Sequence, residues 1–418
     1  GDVYKRQVYK WSLLAAVFAP LGLLACADLL GFERLTFEAP DAATPQDAPT
    51  TTVTPDGPVG PTCTGSKRPP SRGDAGTAPS IEPFSLAVTT FDMGIGETPL
   101  GLDLDRVCTV DPASSSCVTD LDITAFNTNV VDKAEGVDNA SYGLLKFLGQ
   151  QYPTLSAQSI DGYVRSGVFG FLIDVIDYNG QPNDSSVSVS FRPTLGVEPR
   201  PGDAGAADAG DAGPPPPLND GQDRWIINEE YSLADRIGNG IFLDVNAYVR
   251  DGVLVATYPE AVLPVSKDTS DNILPIKLRD FTIVAKLTKT PKGWALSEGV
   301  MAGGWRTEDA FPAIRNFAFS GDGTERLCEQ GQGVYDTVFR STFCSGRDLP
   351  ARLTAPRSSP CASVSAGFGF AAVQAINSET SKFRKPRPQI CPPAACPGED
   401  AGVAQVDASD GSTDAGSD

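Results

Sequence analysis

The chain has 418 residues, 53 acidic against 33 basic side chains, a formal charge of −20 and no histidine. Without imidazole there is no Ser-His-Asp or Cys-His catalysis, no HExxH zinc site and no imidazole general base. The acidic balance also excludes nucleic acid as a partner, because that affinity rests on Lys and Arg neutralising phosphates.

Residues 1–7 read as translated adapter sequence foreign to the gene, and no initiator methionine precedes them. Trp11 to Ala25 is apolar, nearly uncharged and interrupted by Pro20 and Gly22. A spanning helix needs roughly 20 apolar residues, so this shorter run has instead the length of a signal-peptide h-region, with Lys10 just upstream. It closes on Leu23-Leu24-Ala25-Cys26, the pattern of a bacterial lipobox, with Leu23 at −3 and Ala25 at −1. The expectation is a signal peptide over 1–25 and lipid attachment at Cys26.

Beyond a still apolar start at Ala27 to Phe32, Ala, Asp, Gly, Pro, Ser and Thr dominate Pro40 to Ser80, and such segments bury too little to offset the entropy of ordering them. Residues 26–80 are therefore expected to be a lipidated cysteine and a disordered tether. The same composition, with recurrent Asp-Ala-Gly at Asp203, Asp208, Asp211, Asp400 and Asp414, predicts a disordered insert over 199–221 and an acidic disordered tail over 397–418. Between them, 81–396 is expected to form one β domain, with division into two at the insert as the alternative.

Strand patterns cover Phe84 to Phe91, Gly167 to Tyr178 and Ser186 to Arg192, the last two flanking the turn formers Asn179 to Asp184. Val245 to Tyr258 predicts a hairpin about Arg250-Asp251-Gly252. Leu278 to Leu287 and Trp294 to Val300 predict another about Thr290-Pro291-Lys292-Gly293, and Val364 to Val373 is a last strand. Helices are expected at Asn139 to Gln150, N-capped by Asp138 or Asn139, and at Thr307 to Phe317. Many short strands and Gly/Pro-rich turns predict a mainly-β fold, a sandwich or jelly-roll, concanavalin-like arrangements among them.

Nine cysteines less Cys26 leave an even eight: Cys63, Cys108, Cys117, Cys328, Cys344, Cys361, Cys391 and Cys396. In an exported chain these predict four disulfides. The favoured pairs are the local closures Cys108–Cys117 and Cys328–Cys344. Cys361 then joins Cys391 or Cys396, and Cys63 takes the other.

Three sets of residues carry candidate chemistry. Asp103 and Asp105, Asp138 and Asn139, and Asn183 and Asp184 place oxygen ligands suited to Ca²⁺ in the loops of a β protein. Residues 219–223 (NDGQD) do the same, though Asx turns without metal use the same residues. Glu229, Glu230, Asp244, Glu298 and Glu308 are available as paired acids for glycoside hydrolysis, and solvated surface acids would look alike. Trp225, Trp294 and Trp305 belong either to a β core or to a sugar-stacking face. Ser270-Asp271-Asn272 matches one β-lactamase element, but the SxxK and KTG boxes are missing.

The segments LLACADLLGFERLTF, GLDLDRVC, GVDNASYG, DYNGQPNDSSVSVSF, DRW, AYVRDGVLVA and GVMAGGWR together resemble the uncharacterised myxobacterial-type secreted lipoprotein family. Its marks are a lipobox, an Asp-Ala-Gly-rich tether and a disulfide-bearing β domain. The resemblance implies architecture and location but no catalysis, and Ala27 after the cysteine favours the outer membrane, facing periplasm or cell surface. The expected role is non-enzymatic, binding or structural, with a glycan or protein ligand, the membrane as partner through the lipid, and Ca²⁺ as the one candidate cofactor. The alternative is a carbohydrate-active enzyme using paired carboxylates on a β-sandwich.

Overall fold

Runs of β-branched and aromatic residues form strands because such side chains fit a pleated, half-buried surface. The computed structural model describes residues 63, 65–74, 78–95, 100–111, 114–119, 130–200, 216–231, 241–268, 270–319, 325–329, 335–391 and 394–396. The chain divides into Gly1–Asp56, of which no residue is described, and Gly57–Asp418. The signal peptide, Cys26, most of the tether, most of the insert and the acidic tail lie outside the described residues.

The elements are β1 (Phe84–Asp92), α1 (Ser141–Gln151), α2 (Ala157–Arg165), β2 (Gly170–Ile176), β3 (Asp184–Val197), β4 (Arg224–Asn228) and β5 (Phe242–Arg250). After them come β6 (Val253–Val265), β7 (Leu274–Thr290), β8 (Gly293–Arg306), α3 (Thr307–Asn316), α4 (Ser341–Ser345), β9 (Leu349–Pro350) and β10 (Cys361–Lys382). With 42% strand against 17% helix, the fold is mainly β, as the composition predicts.

All ten strands belong to one sheet, and it closes on itself. β1, β2, β3, β5, β6, β7, β8 and β10 pair in that order, antiparallel throughout, and β10 pairs back to β1. The facing layers expected of a sandwich are here opposite walls of one continuous sheet. Eight strands leave an interior just wide enough for side chains to fill. Phe91, Phe171, Phe191, Phe281, Phe368 and Tyr258 fill it, and Phe191 of β3 reaches Phe281 of β7 with ring centroids 5.3 Å apart. This apolar interior is the inverse of the polar lumen of a membrane-spanning barrel. Among the described residues, no helix is long and apolar enough to cross a membrane.

Turn chemistry sets the register. Asp251 and Gly252 join β5 to β6 with φ of 50° and 78°, the pair of left-handed residues that a type I′ hairpin requires. Helices α1 and α2 close one end of the barrel. There Leu145, Leu148 and Ile160 meet Met93 beyond β1, Val265 ending β6 and Leu274 opening β7.

Strand β4, a five-residue run outside the strand patterns set out above, lies between the ends of β3 and β10, parallel to β10 and antiparallel to β3. Its Trp225 and Ile227 cover Ala87, Leu172, Val197 and Ala375 in a second apolar cluster. A Cβ at Gly170 would lie 2.8 Å from the Trp225 ring, so the indole needs a glycine beneath it. Beside this cluster, Arg192 and Asp174 form an ion pair at 2.7 Å with both side chains fully buried. Ser85 donates to Asp174 and Arg192 donates to Asn377, extending the pair into a network.

Several expectations need correction. The folded part does not wait for Ile81: Tyr248 donates to the Pro70 carbonyl, and Cys63 is bonded to Cys108. Neither Asp138 nor Asn139 caps α1, whose N-cap is Ala140. The predicted disulfide pairs are replaced by Cys63–Cys108, Cys117–Cys361, Cys328–Cys391 and Cys344–Cys396. Distant segments meet to make them: a parallel bridge between Val118 and Pro360 brings the 114–119 segment beside the start of β10, where Cys117 reaches Cys361, while Cys108 turns to the 63–74 segment. All eight cysteines nevertheless pair, as an oxidised framework requires.

Candidate functional site

Two stretches with little regular structure, residues 100–111 and 130–140, lie side by side through a bridge between Leu102 and Asp138. Bridging them sets Asp103, Asp105 and Asp138 together. Each offers a carboxylate oxygen, the three lie within 4.8 Å of one another, and all three residues are buried. Turn hydrogen bonds fix two of them. Leu104 N–H donates to Asp138 Oδ2 at 2.6 Å, Asp105 N–H to the same oxygen at 3.3 Å, and Val107 N–H to Asp105 Oδ1 at 2.8 Å.

Asp103 differs from its neighbours. Its Oδ2 accepts from Arg68 Nε at 2.6 Å and from Ser66, while its buried Oδ1 has no hydrogen-bond partner among the described residues. Two further acids border the cluster. Asp132 accepts from Thr109 N–H at 2.8 Å, and Asp348 accepts from the backbone and hydroxyl of Ser365. The Ser365 hydroxyl also receives Ala140 N–H, so the cluster is joined to the N-terminus of α1.

Burial and mutual repulsion dominate the electrostatics. Burial pushes Asp132 up to about 7 and Asp348 up to about 8, and both are raised further by Asp105. Asp138 is held well above the ordinary carboxylate range by burial, then by Asp105, Asp348 and Asp132. Burial raises Asp105 as well. The countercharges are few: Arg68 on Asp103, and Arg357 near Asp105, whose guanidinium also serves the carbonyls of Ser114 and Ser115.

The other sequence candidates fall elsewhere. Asn139 spends its amide on Ser141 and the Leu100 carbonyl. Asn183 and Asp184 sit in the β2–β3 turn, where Asp184 accepts from Asn179 and Ser186 N–H and Asn183 from Asp251 N–H. Asp223 at the end of the 219–223 run accepts from Leu218 and Asn219 N–H and pairs with Arg200. Trp225 and Trp305 are each 1% exposed and present no face to a sugar. Trp294 is partly buried, stacked on Phe84 at 5.3 Å with Lys289 over its ring. Asn272 of the Ser-Asp-Asn run holds both backbone groups of Ala318, a structural pin.

The acids considered for hydrolysis are on separate elements. Asp244 accepts Asn246 and Thr257 N–H, Glu308 pairs with Arg306, and Glu229 and Glu230 follow β4. Glu298 lines an open groove of about 790 Å³ between α2 and β1, β8 and β10, floored by Phe91, Val300 and Phe370. Lys67, Asp92, Asp161 and Arg165 complete its rim. A second groove of about 550 Å³ lies outside β5–β7 and carries Arg68, Arg72 and Arg106.

Asp132 and Asp348 escape sequence reading because neither sits at a ligand-like spacing from the other acids. Only the local turn signals about Asp103 and Asp138 mark the place. No family model, curated protein or solved structure matches the chain.

Proposed function

We propose that this chain is an exported envelope protein, anchored to a membrane through lipid on Cys26, whose barrel has a non-enzymatic binding role. The cysteine arithmetic carries the proposal. Four disulfides consume every other cysteine, so only Cys26, at the end of an apolar run, is left over. Disulfide-rich chains belong to oxidising compartments. By its resemblance, the anchor lies in the outer membrane.

For the ligand, the 790 Å³ groove is the surface best suited, because it sets an apolar floor inside a rim of both charges. That chemistry fits an extended polar polymer, glycan or peptide. Among the described residues, aromatic and aliphatic side chains fill the barrel interior. The competing reading, a carbohydrate-active enzyme, has one observation in its favour: Asp92, Asp161 and Glu298 line the same groove. Asp161 is already committed to Phe91 N–H and Arg165, which leaves, among the described residues, Asp92 (itself accepting Gly94 N–H) and Glu298 as its pair on that rim.

Expression of the full chain with a labelled fatty acid tests the anchor. Wild type is expected to take up label and to sediment with membranes, and Cys26→Ser to do neither; label retained on Cys26→Ser refutes the anchor. For the groove, a polysaccharide panel separates the roles. Binding without product release, weakened at least about tenfold by Arg165→Glu, fits a binding protein. Released sugar that disappears in Glu298→Gln fits the enzyme.

A further inference from the structure

We infer that Asp103, Asp105 and Asp138 form a Ca²⁺ site that ties the 100–111 loop to the start of α1. It goes beyond the binding role and does not depend on the lipid anchor. The first support is geometric. Two ligands of one Ca²⁺, each 2.3–2.6 Å from it, lie no more than about 5.2 Å apart. The three carboxylates, within 4.8 Å of one another, satisfy that limit. Mg²⁺ makes near-ideal octahedral demands that irregular loops do not readily meet.

The second support is independent of the clustering. Asp103 is 4% exposed, and its Oδ1 is buried with no donor among the described residues. A polar oxygen withdrawn from water without a partner is costly. Its other oxygen is fully engaged by Arg68 and Ser66, which fixes the carboxylate against the cluster. A cation is the species that satisfies such an oxygen and the neighbouring acids at once.

The donor set selects the kind of cation. All candidate ligands are carboxylate oxygens, the chain has no histidine, and the nearby sulfurs of Cys63 and Cys108 are joined in a disulfide. Hard, oxygen-only sites take Ca²⁺ or Mg²⁺, not zinc or copper. Asp132 and Asp348 border the three ligands and add further carboxyl oxygens to their surroundings. The consequence is mechanical: Asp138 lies three residues before α1, the helix that closes the barrel end, so the ion holds that closure in place.

The test uses the full chain, stripped with EGTA and returned to metal-free buffer at neutral pH. Titration with CaCl₂ in a calorimeter should give one binding event near about 10⁻⁴ M, the range of extracellular modules. At about a hundredfold excess over Kd, Ca²⁺ should raise Tm by about 5 °C. Asp105→Asn and Asp138→Asn, made separately so that a folding defect in one leaves the other, should each weaken binding at least about tenfold. Neither heat nor a Tm shift in the wild-type chain overturns the site without any variant. An unchanged response in both variants overturns it too, assigning the metal to surface acids. An equal response to MgCl₂ overturns the choice of Ca²⁺.

Discussion

Arg192 and Asp174 show what a single buried pair must satisfy. Both are fully withdrawn from water, and Ser85 and Asn377 supply further hydrogen bonds to the pair. Removing one partner strands a charge, whereas replacing both by apolar residues removes the problem. Arg192→Met is therefore expected to lower unfolding free energy by about 3–5 kcal/mol in urea denaturation. The double variant Arg192→Met, Asp174→Leu should recover most of that loss; a double variant as unstable as the single would mean that the network, and not the charge, holds β2 to β3. Nothing in the local sequence marks Arg192 as buried. Its place depends on partners from other strands, Asp174 of β2 and Asn377 of β10, the second of them 185 residues later in the chain.

The carboxylate cluster works at the scale of elements, because it joins the 100–111 loop, the 130–140 loop and the short strand β9. Burial pushes Asp132 up to about 7 and Asp348 up to about 8 and also raises Asp105 and Asp138, all above the ordinary value of 3.8. Folded-state values above the unfolded ones mean that the native state binds more protons over that window. Stability should then fall as pH rises from about 4 to about 8. Thermal unfolding in EGTA from pH 5 to pH 8 checks this: Tm should decline with pH, and a rise would show that Arg68 and Arg357 outweigh the repulsion. Asp103, Asp105 and Asp138 were legible as candidate oxygen ligands from their turn-rich surroundings. That they share one site was not, since 103 and 138 are joined only by the bridge between their loops. The hydrolysis candidates show the converse, for acids close in type remain scattered over separate strands.

At the scale of the molecule, the disulfides tie irregular segments to the closed sheet. Cys117 and Cys361 are 244 residues apart in sequence, and their bond fastens the loop that follows the carboxylate cluster to the start of β10. Loop-closure entropy makes such long links the most stabilising, though the other bonds shorten the effective loop. Replacing both by serine should cost about 3–5 kcal/mol and lower Tm. A Tm unchanged by the substitution would mean that the loop is held by its hydrogen bonds alone. Closure of the sheet through β1–β10 and β3–β5 also leaves the eight-strand ring without free edges, the places where sheets otherwise recruit other chains.

The sequence by itself determined the mainly-β class, nearly every long strand, the hairpin turns and the helices α1 and α3. Each of these rests on local periodicity, capping or turn chemistry. It also determined that the eight cysteines beyond Cys26 are an even set, since parity needs no geometry. Only the tertiary structure decided that the sheet closes, which cysteines pair, that residues 63–74 dock on the barrel and that β4 covers an outer face. Those outcomes depend on which distant segments meet, and neither alternation nor spacing along the chain encodes the register between strands far apart in sequence. The gathering of Asp103, Asp105, Asp138, Asp132 and Asp348 is of the same kind: the residues are local, and their meeting is a property of the folded chain.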